Sequence, residues 1–153
     1  MLIRHIVAAT DESDAGRQAV RTALELAART GARVTALRVL PFEGTGSGPA
    51  LERLQQWVES DLPPLDPLPP ISYAVAYGMP GIEIARFAEQ AHADLLVLGR
   101  KPRSQRTRLL LGDTADAVGR RSRLPCLFVP PQGGRPERVM VAVDGSERGM
   151  VVL

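Results

Sequence analysis

Apolar positions along this chain follow two rhythms: short unbroken runs, and longer stretches with an apolar residue every third or fourth place. Leu2 to Ala9 is a run of the first kind. It predicts a strand covered on both faces, as in a parallel sheet. A helix follows, with Ser13 or Asp14 as its N-cap and Gly16, Ala19, Val20, Ala23, Leu24 and Ala27 on one stripe; Gly31 ends it. Arg33 to Leu40 is the second strand, closed by Pro41, and Gly44 to Gly48 reads as a flexible loop without the Lys-Ser or Lys-Thr of a phosphate loop. Leu51, Leu54, Trp57, Val58 and Leu62 mark an amphipathic helix with Trp57 as a core anchor. The proline-rich stretch Pro63 to Pro70 is an extended connector. Ile71 to Tyr77 is the third strand and Gly78-Met79-Pro80 a turn. The next helix points Ile84, Ala85, Phe87, Ala88 and Ala91 inward, with Glu83 and Arg86 outside. Asp94 to Gly99, a short helix from about Gly112 to Ser122, and residues 126 to 129 complete the alternation.

Strands alternating with helices at this pitch predict an α/β fold, a doubly wound five-stranded parallel sheet with helices on both faces. Such sheets bind ligands beyond the carboxyl ends of their strands, where the strand order reverses. The first and fourth strands are the natural neighbours of that point. The chemistry is therefore expected in Thr10-Asp11-Glu12-Ser13 and in the segment Gly99 to Asp113.

Composition narrows the function classes. The chain of 153 residues carries a net charge of only +2, which argues against nucleic acid as a partner. Its one cysteine, Cys126, cannot form an internal disulfide and lies in an apolar run, as a structural thiol in a reducing compartment does. No apolar stretch reaches the roughly 20 residues of a membrane helix, so a cytoplasmic protein without membrane contact is expected. Basic residues crowd at Arg100, Lys101, Arg103, Arg106 and Arg108, which is either a solvated loop or an anion site. His5 and His92 have no nucleophile or metal-ligand partner at a useful spacing, and no catalytic residue set emerges.

The opening pattern returns near the end. Arg138 to Ser146 repeats the apolar run and Asp-x-Ser turn of His5 to Ser13, and Gly149 matches Gly16. The expected organisation is one domain over residues 1–130, a linker over 131–137, and the start of a second, incomplete repeat over 138–153.

The Asp11-x-Ser13 turn, Gly78-x-Pro80, Ala93 to Gly99, Arg108 to Gly112 and Leu124 to Val129 together resemble the universal stress protein family, over positions 2 to 130. The resemblance implies an adenine nucleotide alpha-hydrolase-like sheet and a homodimer through the fifth strand. In one branch it implies ATP held by Gly-x2-Gly-x9-Gly-(Ser/Thr), with at most very slow hydrolysis. With it, Thr10, Asp11, Val39, Gly99, Gly112, Asp113 and Thr114 become nucleotide-binding candidates; the basic residues Arg100, Lys101 and Arg103 are added as candidates because the arginines at 100, 103, 106 and 108 could clamp the phosphates.

The sequence departs from that motif at two places. Pro102 stands at the second glycine and lacks both the N–H donor and the freedom of glycine. Asp113 stands where a hydroxyl would donate to phosphate, and a carboxylate is an acceptor. Two readings of Asp113 stay open: it shares a Mg²⁺ ion with the phosphates, or it caps the last helix and fills the anion site with its own charge. Two functions follow: a nucleotide-binding stress regulator with a degenerate ATP site, or a dimerising protein-interaction module that binds no nucleotide. An ATP pyrophosphatase would want a Ser-Gly-Gly-type loop after strand one, which Thr10 to Ser13 does not supply. Residues 138–144 add a further expectation, that this strand pairs with a sheet edge in its own chain or in a second copy.

Overall fold

The computed structural model describes residues 2–42, 47–100 and 113–132. The expectations for Lys101 to Gly112 and for 138–153 lie outside the described residues. The elements run β1 His5–Thr10, α1 Asp14–Thr30, β2 Arg33–Leu40, α2 Ser47–Glu59, β3 Ile71–Tyr77, α3 Pro80–Gln90, β4 Leu95–Gly99, α4 Asp113–Arg121 and β5 Cys126–Val129. The five strands are parallel in the order β3-β2-β1-β4-β5, so the strand order reverses between β1 and β4 as the sequence predicts.

Alternation within each strand builds two cores. Ile6, Ala8, Val34, Ala36, Leu95 and Val97 face α1 and α2. Val7, Ala9, Leu37, Leu96 and Leu98 face α3 and α4. Both sets are buried, which explains why β1 and β4 read as unbroken apolar runs. The α1 stripe is buried as predicted; Ser13 is its N-cap, accepting from the Gly16 amide, and Gly31 closes it at φ 72°, a conformation glycine takes without a Cβ penalty.

Several boundaries and orientations differ from the sequence reading. β1 begins at His5, leaving Leu2 65% exposed, because the Asp94 carboxylate accepts from the Arg4 and His5 amides and fixes the strand entry. Ser47 and Gly48 belong to α2, with Pro49 in its first turn, where a missing N–H costs nothing. Trp57 is only half-buried. It packs against the α1–α2 core and lies under Arg17, whose guanidinium carbon is 4.5 Å from the ring centroid. Glu83 is not an outside residue: its side chain is 13% exposed, tucked beside Gly78 while paired with Arg86.

At the amino end of the sheet the buried His5 ring reaches Ala91 O through Nδ1 (3.1 Å) and Thr35 Oγ1 through Nε2 (2.8 Å), with Arg33 3.2 Å from Nδ1. Burial lowers its pKa first of all; the Ala91 contact opposes this and the Arg33 charge adds to it. The unfolded chain therefore takes up a proton at higher pH than the folded one, and stability falls as pH drops through about 6.5. A thermal melt should show a lower midpoint at pH 5.5 than at 7.5, a difference that shrinks in His5→Gln. The Asp94 carboxyl is held below its ordinary value, chiefly by the Arg4 and His5 amides, so its contribution is lost only in a separate, more acid window.

Candidate functional site

Where β1 and β4 separate, the chain leaves a cavity of about 340 Å³ on the α3–α4 side of the sheet. Its floor is apolar, with Ala9, Leu37, Val39 and Leu98 from three strands; Pro80 and Ile84 of α3 and Ala115 of α4 form the wall. The rim is polar: Thr10, Asp11 and Ser13 on one side, Asp113 and Thr114 on the other. An apolar slot with a few convergent polar groups is the usual form of a small-molecule site, and this volume lies near the lower end of the range of roughly 300–1,000 Å³.

The rim is held rigidly on the β1 side. Ser13 N and Oγ both donate to Asp11 Oδ1, the amide at 3.1 Å. The Glu12 amide donates to Thr10 Oγ1 at 3.0 Å, and Arg17 N to Ser13 O at 2.8 Å. A Cβ on Gly16 would clash with Thr10 Oγ1, and one on Gly99 would clash with the Ala15 backbone and stand 2.8 Å from Gly16 N. These two glycines let the first turn of α1 sit against the ends of β1 and β4. Glu12, in the middle of the turn, has φ 62°, a region that costs a residue with a Cβ roughly 1–2 kcal/mol.

Of the residues singled out from sequence, Thr10, Asp11, Val39, Gly99, Asp113 and Thr114 line this one cavity. Arg100 is placed at its edge by the chain, and its amide donates to Val129 O at 2.7 Å, which docks the end of β4 on β5. Lys101, Arg103 and Gly112 lie outside the described residues. Ser13 lies in the segment where the sequence places the chemistry, whereas Leu37, Pro80, Ile84 and Leu98 are not anticipated from sequence as lining residues. Leu37 and Leu98 carried a usable signal, since both lie in the carboxyl halves of their strands on the face that the alternation assigns to α3 and α4. Pro80 and Ile84 carried none, because only the packing of α3 brings them to the sheet.

Asp113 and Asp116 occupy the first turn of α4, where carboxylates complement the helix dipole, and Arg120 and Arg121 occupy its last. Among the described residues no group of three or more His, Cys, Asp or Glu side chains could hold a metal ion by itself. Cys126 is half-buried on β5; burial pushes its thiol pKa up, which disfavours the reactive thiolate. No helix among the described residues is long and apolar enough to cross a membrane.

A parallel five-stranded sheet with its cavity at the strand-order reversal places the domain in the adenine nucleotide alpha-hydrolase-like class of α/β folds. The chain belongs to the universal stress protein family, whose sequence profile matches residues 2–130. Universal stress protein MJ0531 of Methanocaldococcus jannaschii is 29% identical over 140 residues, which cover 84% of this chain and 82% of that protein. A universal stress protein solved in complex with cAMP aligns with a TM-score of 0.67 and 25% identity, over 86% of this chain and 99% of its own. Universal stress protein UspA from Lactobacillus plantarum aligns with a TM-score of 0.64 and 23% identity, over 84% of this chain and 98% of its own.

Proposed function

We propose that this chain is a stress regulator that binds an adenine nucleotide in the cavity between β1 and β4 and works through binding, with hydrolysis of ATP at most very slow. The observation that carries the reading is the cavity itself: an apolar floor wide enough for a base, closed at both ends by hydroxyls and carboxylates. The family member of 25% identity in complex with cAMP supports it. In this reading the base lies over Leu37 and Val39, Thr10 and Asp11 face the sugar, and the phosphates point to Gly99, Asp113 and Thr114. Arg100, Lys101, Arg103 and Gly112 enter through the sequence alone: they lie between Gly99 and Asp113, both of which line the cavity.

The described residues suit a nucleoside better than a polyphosphate, because the first turn of α4 presents a carboxylate where phosphate would sit. Mg²⁺ resolves the conflict, since it is commonly bound by one or two carboxylates together with substrate phosphates; Asp113 is then its protein ligand. The same carboxylate favours a second reading, in which the site is closed by its own charge and the domain acts as a cytoplasmic dimerisation and interaction module through the edge of β5.

Calorimetric titration of nucleotide-stripped protein with ATP and with cAMP, each with and without Mg²⁺, separates the two. Binding that is lost in Val39→Trp, with the thermal midpoint of that variant within a few degrees of the parent, is the expected result. No heat of binding for either nucleotide in either condition would overturn the nucleotide reading and leave the interaction module.

A further inference from the structure

The middle residue of the rim turn stands in a backbone region that disfavours it, yet its charged side chain is largely buried against two arginines. At the matching place of the second Asp-x-Ser segment, 144–146, the residue is Gly145, for which a positive φ carries no penalty. Here it is Glu12, at φ 62°. Its carboxylate is 14% exposed and is ion-paired to Arg38 of β2, itself 20% exposed; Arg53 of α2 approaches the same carboxylate at 3.7 Å. Strained backbone of this kind persists where the surroundings over-determine it, and such places cluster at functional sites.

The geometry of the sheet says what the pair does. Arg38 alternates with Leu37 and Val39, so it projects from the face opposite the cavity floor, where its strand neighbour Val75 packs on the α1–α2 core. Glu12 is flanked by Asp11 and Ser13, which line the cavity. The ion pair therefore fastens the turn from behind, to β2 and α2, while the neighbours on either side face the ligand. Removing the Glu12 carboxylate takes away the anion that Arg38 and Arg53 both approach and leaves their mutual repulsion offset only by Asp11. Burial, and after it the Arg53 charge, lower the Arg38 pKa, and the Asp11 carboxylate opposes this; with the Glu12 ion pair, both acidic residues of the turn act on this cation.

We propose that Glu12 is a positioning residue: with Arg38, and braced by Arg53, it clamps the Thr10 to Ser13 turn and so sets the affinity of the cavity for its nucleotide. The clamp rests on the geometry alone; only its effect on affinity rests on the nucleotide reading above.

Two variants test it from opposite sides. Glu12→Gly removes the clamp while relieving the backbone, and Arg38→Met removes it without touching the turn. Amide hydrogen exchange at Ser13 and Gly16 is expected to be at least tenfold faster in both. The dissociation constant for ATP with Mg²⁺, from calorimetry on the full chain, is expected to rise at least tenfold, even if glycine leaves the thermal midpoint of the Glu12 variant unchanged. Exchange within threefold of the parent in both variants would overturn the clamp, whatever the midpoints do. Faster exchange with an unchanged dissociation constant would overturn the positioning role. If the parent chain binds no nucleotide, the functional reading fails by itself, and the clamp is still decided by exchange.

Discussion

Asp113→Ser is expected to tighten ATP binding measured without Mg²⁺ by about ten- to a hundredfold. A carboxylate about 4 Å from a phosphate charge, at an effective dielectric near 20, is worth roughly 4 kcal/mol of repulsion. That figure is an upper bound here, because Asp113 is exposed, and the same pair in bulk water is worth only about 1 kcal/mol. A residual 1.4–2.8 kcal/mol corresponds to the range given, by the usual tenfold per 1.4 kcal/mol. The serine also supplies a donor at the α4 N-terminus, where amide N–H groups and the helix dipole already favour an anion. With Mg²⁺ present the gap should narrow, since the ion neutralises the carboxylate that the variant lacks. Calorimetry on parent and variant in both conditions reads all four affinities. Equal affinities in all four would mean that the phosphates do not approach α4.

Gly99→Val is expected to lower the unfolding free energy by about 3 kcal/mol, toward the upper end of what overpacking costs. The added Cβ runs into the backbone of Ala15 and Gly16, and backbone atoms cannot rotate away as a side-chain end can. Relief requires the first turn of α1 to move off β4, which also opens the rim at Ser13. In urea this corresponds to a midpoint lower by about 1–3 M at an unchanged slope. Nucleotide affinity should fall in the same variant under conditions where it is still folded. Gly31→Ala is the useful contrast: no atom lies within 4 Å of its added Cβ, so its cost is confined to the positive φ, roughly 1–2 kcal/mol. A Gly99→Val chain as stable as the parent would show that α1 is not seated as described.

The local periodicities gave most of this architecture. All five strands and α1 with its Gly31 stop follow from unbroken apolar runs and period-3.6 stripes that need only neighbouring residues. The choice of Ser13 over Asp14 as N-cap and the division of β1 and β4 between two cores come from the structure. The strand-order reversal at β1 and β4 follows from general rules for parallel sheets. Six of the ten nucleotide candidates converge on one cavity because they end strands or begin helices on one side of that reversal. Among the inaccurate points, one was set by a group far along the chain and one by the packing of a neighbouring turn. Asp94 delays β1 to His5 across 89 residues, and Gly78 draws Glu83 inward.

What the sequence alone determined, then, is the succession of elements, the parallel sheet and the end of it that carries the site. The tertiary structure decided which faces meet there. Pro80 and Ile84 become cavity wall only through the docking of α3, and Glu12 becomes a buried partner of Arg38 only because β2 lies beside β1. The physical reason is range: hydrophobic periodicity is set by the geometry of a single helix or strand, whereas a cavity or an ion pair between elements is fixed by crossovers that bring together residues far apart along the chain, Glu12 with Arg38 and Thr10 with Asp113, which no local pattern records.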